Sequence, residues 1–256
     1  MDMKLQTTVA PTDSELAYWI DQWDRMQEAY NPDRADRFRT LTGIVGAVCP
    51  APNTIVDLGC GTGSVMQQCL EAFPTARVIG IDMDSCLLAL AEQRLGIHGN
   101  RASVHQLDFR TDAWADTIPN GVDAVVSATA LHWLSEAHLG DLYAKVSSLL
   151  RPGGIFLNAD HVGSGHALVQ RFWASERAHA RDKRYSGNEW SKFWDDYFGA
   201  LGEQQREMRT AVLGPWEGVE QGLPLQWQLN RLTECGFSHV DCFYRFHGDA
   251  IYGGIK

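Results

Sequence analysis

Thr54-Ile55-Val56-Asp57-Leu58-Gly59-Cys60-Gly61-Thr62-Gly63 is the stretch that decides the fold. A short apolar run ends in an acid, and glycine then recurs at every second position, as Gly59, Gly61 and Gly63. A strand that enters a helix through such a turn brings bare backbone close to a ligand, because glycine has no side chain and tolerates positive φ. Nineteen positions beyond Gly63, a second apolar run, Val78-Ile79-Gly80-Ile81, ends in Asp82. The pairing points to a nucleoside ligand.

The spacing narrows the ligand further. The dinucleotide fingerprint is Gly-x-Gly-x-x-Gly, with a helix N-terminus aimed at a pyrophosphate. Here the glycines read Gly-x-Gly-x-Gly and follow Asp57. An acid has nothing to offer a pyrophosphate but suits a ligand that carries positive charge. S-adenosylmethionine (SAM) carries a sulfonium and an ammonium, and no phosphate.

Further motifs follow in order. Leu107-Asp108-Phe109 comes after a third apolar segment, Ala102-Ser103-Val104. Val122-Asp123-Ala124-Val125-Val126-Ser127 is a fourth strand and leads into Ala130-Leu131-His132-Trp133-Leu134. Leu149-Leu150-Arg151-Pro152-Gly153-Gly154 then ends a helix and turns into Ile155-Phe156-Leu157-Asn158. Over roughly residues 33–160 this series resembles the class I SAM-dependent methyltransferases of small-molecule type, with secondary metabolism as their setting. The resemblance implies that Asp82 holds both ribose hydroxyls and that Met83 stacks on the adenine. It implies that Asp108, with Phe109 beside it, accepts from the exocyclic amine. Asp57, Gly59, Cys60, Gly61, Gly63 and Ser127 complete the implied cofactor site, S-adenosylhomocysteine (SAH) being the product. Ser127-Ala128-Thr129-Ala130 stands where resembling exocyclic-amine methyltransferases carry Asn/Asp-Pro-Pro-Tyr/Phe, which argues against methylation of adenine or glutamine amines.

From residue 53 to 160 strands alternate with helices, which demands a parallel sheet covered on both faces. The family likeness implies a Rossmann-like three-layer α/β sandwich. Its seven-stranded, mostly parallel sheet has the order 3-2-1-4-5-7-6, with the last strand antiparallel. The chain reads as one domain in four parts: a helical cover (1–50), the SAM-binding core (51–160), an inserted helical lid (161–222) and a C-terminal helix with strands (223–256).

In the cover, Thr12-x-x-Glu15 forms a capping box, and Leu16, Trp19, Ile20, Trp23 and Met26 share one helical face. A second helix starts at Asn31-Pro32, with Ala35, Phe38, Leu41 and Val45 inward. In resembling proteins these helices lie over the cleft, which brings Tyr30 and Arg37 to the methionine end, where a guanidinium pairs with a carboxylate. In the insertion, Leu168, Phe172 and Trp173 mark one helix. Trp190, Phe193, Trp194, Tyr197, Phe198 and Leu201 form an aromatic stripe on another. Leu225, Leu229 and Leu232 mark a helix stopped by Gly236; Phe237 to Phe246 is a strand, and Ala250-Ile251-Tyr252 begins a short last one.

Composition sets outer limits. Of 256 residues, 45% are hydrophobic, and no apolar run reaches the ~18 residues of a membrane span. The first ten residues lack an apolar signal core. Six cysteines without a Cys-x-x-Cys pair read as reduced thiols in a cytoplasm, and no histidine–carboxylate cluster has metal-ligand spacing. A formal charge of −10 disfavours nucleic acid, and the two basic runs, 34–39 and 181–184, each contain an aspartate.

Methyl transfer from a sulfonium is an in-line displacement, and a base helps when the acceptor carries a proton. His132 follows the fourth strand; His161, next to Asp160, follows the fifth; and His166 lies in the glycine-rich turn just beyond. His132 and His161 are the candidate bases. Asp160 and His161 are neighbours on a strand and point to opposite faces, so they form no dyad. Trp133, Trp190 and Trp194, with the two histidines, are the candidate acceptor contacts. An aromatic stripe also serves as core or as a homodimer contact, and these readings stay open. The expected activity is methylation of oxygen, nitrogen or carbon on a small aromatic or apolar metabolite. A tRNA wobble-base modifying enzyme and a SAM-binding regulator or partner subunit without catalysis are the alternatives.

Overall fold

The computed structural model describes residues 11–31, 33–183, 189–214 and 217–256. The first ten residues, Pro32 and Arg184 of the second basic run lie outside the described residues. Helix α1 (Asp13–Tyr30) opens on the expected capping box: the Thr12 hydroxyl accepts from the Glu15 amide, and the Glu15 carboxylate accepts from the Thr12 amide at 2.8 Å. Helix α2 (Arg34–Val48) starts later than expected, after Asp33 in the left-handed region. Its buried row is Arg37, Leu41 and Val45, flanked by Phe38 and Thr42. Ala35 lies off this row and is exposed, contrary to the reading from spacing.

The regular alternation then begins: β1 (Thr54–Leu58), α3 (Ser64–Ala72), β2 (Arg77–Asp82), α4 (Ser85–Leu95), β3 (Ala102–Gln106), α5 (Ala113–Asp116), β4 (Val122–Ala128), α6 (Glu136–Leu149) and β5 (Leu150–His161). Three helices follow, α7 (Ala167–Asp182), α8 (Glu189–Leu201) and α9 (Glu203–Leu213). The chain closes with α10 (Leu225–Glu234), β6 (His239–Phe246) and β7 (Asp249–Ile255). The sheet order is β3-β2-β1-β4-β5-β7-β6, with β7 antiparallel to both neighbours, as the family likeness implied. Strand β5 starts at Leu150 rather than Ile155, because Leu150 already pairs with Val122 before a bulge re-registers Ala124 with Ile155. Strand β7 is seven residues long and pairs along most of β5, so it is a full sheet member.

Alternating side chains of the central strands feed two cores. Ile55, Val78, Ala124 and Val126 pack under α2, α3 and α4, and Val56, Leu58, Ile81 and Val125 pack under α5, α6 and α10. Burying each such aliphatic side chain contributes ~1.5–3 kcal/mol against the entropy of ordering the chain. Beneath the carboxyl end of β5 and the start of β7, Tyr143 donates to Gln228 at 2.5 Å and shares a 3.0 Å bond with Tyr252, which accepts from Asn158 at 2.8 Å. This buried polar chain ties α6, α10, β5 and β7 together directly below the site.

A third core explains the aromatic stripe. Phe193, Trp194, Tyr197 and Phe198 of α8 are buried against Trp19, Trp23 and Met26 of α1 and Leu87 and Leu90 of α4. The stripe is therefore helix packing, and it anchors the insertion to the N-terminal cover. The other apolar set behaves differently, with Leu168 and Phe172 of α7 exposed to solvent at 61% and 57%. Among the described residues no helix is long and apolar enough to cross a membrane.

Candidate active site

The glycine turn lies at the carboxyl end of β1, where open α/β sheets collect ligands. The amides of Gly59 and Cys60 both donate to the Ile81 carbonyl, at 2.8 and 3.1 Å, which fastens the turn to β2. All three glycines have positive φ, but they do different work. A side chain on Gly59 would meet the Ala130 Cβ at 2.3 Å, so this position is needed for packing against the segment after β4. Gly61 meets nothing closer than a Leu87 methyl at 3.9 Å, so it is the glycine that leaves room for a ligand.

Asp57 is 1% exposed, and neither carboxylate oxygen has a hydrogen-bond partner among the described residues. Burial, reinforced by the nearby Asp82 charge and opposed by the weaker pull of the Met66 amide, pushes its pKa up to about 8. Asp82 accepts from the Gly61 amide at 2.8 Å and the Asp84 amide at 2.9 Å. Burial is the main cause of its rise to about 6, and those amides oppose it. Among the described residues no cation lies beside either acid, so buried Asp57 prefers the neutral form near neutral pH, and an incoming cation reverses that preference.

Other cofactor-side expectations fare unevenly. Met83 is half-buried beside Asp82, and its carbonyl accepts from Gln106 at 3.2 Å. Phe109 lies edge-on to Trp114 at 6.0 Å. Asp108, expected to accept from an amine, is instead forked by Arg110, whose Nε and Nη2 reach its two oxygens at 2.8–3.0 Å. Desolvation alone would raise the Asp108 pKa, but bonds from the Arg110 side chain and amide hold it below the usual range. The Ser127 hydroxyl is committed to the Leu58 carbonyl at 2.7 Å and is fully buried, so it joins β4 to β1 rather than facing a ligand. Cys60 turns its thiol inward against Gly80, which leaves only its backbone to the turn.

The histidines form the second half of the site. His132 Nδ1 lies 2.7 Å from Asp160 Oδ1, and the His132 amide donates to Asp160 Oδ2 at 3.0 Å. Burial alone would raise the Asp160 pKa, but the charges of His132 and His161 and the bonds they make hold it well below the usual carboxylate range. The dyad excluded for the neighbours Asp160 and His161 is thus made by Asp160 across the strands with His132. His161 has its own acid: Nδ1 lies 2.7 Å from Asp249 Oδ1. The two imidazoles sit 5.0 Å apart between ring centres. Burial is the leading cause of the lowered His161 pKa, which Asp249 opposes. His166 is exposed at the start of α7.

Segment 217–223 crosses above these histidines. The Gly218 amide donates to the Trp133 carbonyl at 3.0 Å, and the Gly163 amide donates to Leu223 at 3.0 Å. A side chain on Gly218 would meet the His132 carbonyl at 1.9 Å, so this crossing requires glycine. Glu217 links the segment to the cofactor side, 3.3 Å from Arg110 and 2.7 Å from His138.

Arg37 is buried, with its Nη1 3.7 Å from Asp249 and its Nε and Nη2 without a partner among the described residues. It lines a crevice with Asn31, Arg34, Phe38, Thr129 and Ala159. Tyr30 and Trp190 meet edge-on at 6.4 Å. Trp194 does not reach the histidines as an acceptor wall: Phe198 stacks on its ring at 5.3 Å and Arg209 lies 3.6 Å over it. Trp133 is 45% exposed beside His132, 5.8 Å between rings. Sequence reasoning missed Asp249, Arg110, Arg177 and the crossing segment; only the pairing of β7 with β5 could have signalled Asp249.

Residues 55–154, from β1 to the turn in β5, match a methyltransferase domain family. Residues 55–154 are thus a methyltransferase domain, set in the sheet order that the resemblance to class I SAM-dependent methyltransferases implied. Among relatives of the chain is a trans-aconitate 2-methyltransferase of Acidovorax ebreus (strain TPSY), 33% identical over 177 residues, or 64% of this chain and 63% of the relative. The chain spans 63% of that relative and 52% of a second trans-aconitate 2-methyltransferase, from Acidovorax sp. (strain JS42), less than two thirds of either. An O-methyltransferase family protein from Burkholderia thailandensis shares the fold with a TM-score of 0.57 at 16% identity, over 98% of this chain and 74% of that one. Human N-acetylserotonin methyltransferase, solved with SAM, does so with a TM-score of 0.54 at 16% identity, over 95% and 56%.

The cofactor of this methyltransferase family is SAM, and the residues present fit it. The unpartnered acid Asp57 matches a ligand's positive charge, and the unpartnered N–H groups of Arg37 match a carboxylate. Gly61, whose amide holds Asp82, has nothing closer than a Leu87 methyl at 3.9 Å where a side chain would stand.

Proposed function

We propose that the chain transfers a methyl group from SAM to a protic oxygen or nitrogen of a small polar molecule, with His132 as general base. The observation that carries this reading is the His132–Asp160 pair at the carboxyl ends of β4 and β5. SAM supplies, when bound, a methyl group on a sulfonium that is already an excellent leaving group. Asp57 meets the positive charge of the ligand, Asp82 its ribose hydroxyls, and Arg37 its carboxylate. Donation of His132 Nδ1–H to Asp160 places the ring's lone pair on Nε2. Nε2 takes the acceptor's proton as the new bond forms, and the Asp160 charge stabilises the imidazolium. Segment 217–223 and Trp133 shield the acceptor from water.

The aromatic side chains that suggested a flat apolar acceptor are used between α1 and α8, so polar groups define the proposed acceptor class. Six unpaired cysteines support a reducing compartment such as the cytoplasm. The test is incubation with methyl-labelled SAM and a small-molecule extract. Label should appear on one small molecule, and His132→Ala should slow its formation by about 10²–10⁴-fold while SAM still binds. Equal transfer by the variant would overturn the role of His132.

A second reading is methyl ester formation, favoured by the trans-aconitate 2-methyltransferase relatives and by Arg177, 3.7 Å from the Asp249 that holds His161. A carboxylate is already deprotonated near neutral pH and needs no base. On this reading His132→Gln keeps most of the rate, and the pH profile is flat above the acceptor's own pKa.

A further inference from the structure

Asp249 opens β7 opposite His161 on β5, and its Oδ1 is a meeting point of three elements. It accepts from His161 Nδ1 at 2.7 Å and lies 3.7 Å from both Arg37 Nη1 on α2 and Arg177 Nη2 on α7. Arg177 also donates to the Gly248 carbonyl at 3.2 Å, which holds the start of β7 in place. Burial would push the Asp249 pKa up, but the bond from His161 and the charges of His161, Arg37 and Arg177 keep it below the usual range. Asp249 is therefore an anion with three partners, two of which face the ligand cleft.

We propose that Asp249 is a positioning residue serving both halves of the site at once. It fixes the His161 imidazole with the proton on Nδ1 and the lone pair on Nε2, and it braces the Arg37 guanidinium so that Nε and Nη2 face an incoming carboxylate. The second half rests on the reading of Arg37 as the partner of the cofactor's carboxylate. The groups around His161 are Asp249 on β7, Asp160 on β5, His132 after β4 and Arg177 on α7. Asp160 spends one oxygen on the His132 ring and also accepts from the His161 amide, so among the described residues Asp249 is the acid that addresses His161 Nδ1. A carboxylate at Nδ1 selects the tautomer, because the proton stays on the nitrogen whose bond it strengthens. A guanidinium free to swing loses much of its advantage as a fork for carboxylates, and a fixed one keeps it.

The test uses the full chain with ¹⁵N-labelled histidine, read by long-range proton–nitrogen NMR, and calorimetric titration with SAH. In the wild type, His161 should carry its proton on Nδ1, and SAH should bind. Asp249→Asn keeps an oxygen for the ring N–H but loses the charge, so it should retain the tautomer and weaken SAH about tenfold. Asp249→Ala should shift His161 to the Nε2–H tautomer and weaken SAH at least as much, with His132 signals unchanged as the control for folding. If Asp249→Ala does not fold, Asp249→Asn still reads the SAH arm. A wild-type His161 tautomer in Asp249→Ala, or tighter SAH binding in either variant, overturns the proposal; the latter would make Asp249 a competitor for Arg37 and not its brace. Arg37→Ala tells the two readings apart: unchanged SAH affinity there removes Arg37 from the cofactor site, while the His161 arm continues to judge Asp249.

Discussion

The two halves of the cleft are assembled in opposite ways. On the cofactor half, Asp57, the glycine turn and Asp82 come from one continuous run of chain, and among the described residues no cation lies beside the buried Asp57 or the half-buried Asp82. On the acceptor half, His132, Asp160, His161 and Asp249 come from the ends of β4, β5 and β7, and each of the two imidazoles already holds a carboxylate. The first half is electrostatically unfinished and is completed by a cationic ligand. The second is finished before any ligand arrives, which is how a base is kept in one tautomer and one orientation.

The largest expected effect lies on the finished half. His132→Ala should lower the methyl-transfer rate about 10²–10⁴-fold and leave SAM affinity within a factor of about two, as rate assays beside calorimetry would show. Loss of SAM binding in this variant would mean that the halves are not separable. Next comes a change that should touch neither half. Trp194→Ala should cost about 3–5 kcal/mol of stability in denaturant unfolding, since it empties the α1–α8 core, with KM for the acceptor unchanged. A raised KM with intact stability would return Trp194 to the acceptor site.

Asp57→Asn should weaken SAM by about 10–100-fold, the loss of a charged hydrogen bond. The same residue gives a proton linkage with a definite sign. Its folded pKa, about 8, lies above the ordinary 3.8, so the folded, ligand-free protein keeps a proton that the unfolded chain has released. Stability of the ligand-free protein should therefore fall as pH rises from about 4 to about 8, and Asp57→Asn should flatten that slope in thermal melts. The smallest effect is expected at the bridge between the halves. Glu217→Gln should change SAM affinity by less than a factor of about five, because its ion pairs with Arg110 and His138 are open to solvent. A larger change, measured by calorimetry, would show that segment 217–223 and the cofactor side act as one unit.

The same contrast explains what could be read in the sequence. The alternation, the sheet order and the cofactor turn are local: spacing within a few tens of residues carries them, and the family likeness supplies the order of the edge strands. The roles of His132 and His161 depend on partners 28 and 88 positions away, and nothing short of the strand pairing brings those together. Asp160 shows the limit well. Alternation along a strand correctly separated it from the His161 ring, and for the same reason it points to His132 on the neighbouring segment. Ser127 and Cys60 sit at positions the family likeness assigns to the cofactor, yet a hydroxyl turned to Leu58 and a thiol turned to Gly80 are decided by rotamers, which a motif does not specify. The aromatic stripe on α8 was visible from its period. Whether it faced a ligand or another helix depended on α1, more than 150 residues earlier.

The most direct test of the unfinished cofactor half is calorimetry of SAM binding near neutral pH in two buffers of different ionisation enthalpy. The account predicts one SAM per chain with release of close to one proton, and loss of that release in Asp57→Asn. A chain that takes up no SAM at millimolar concentration, or binds it with no proton released, would contradict it.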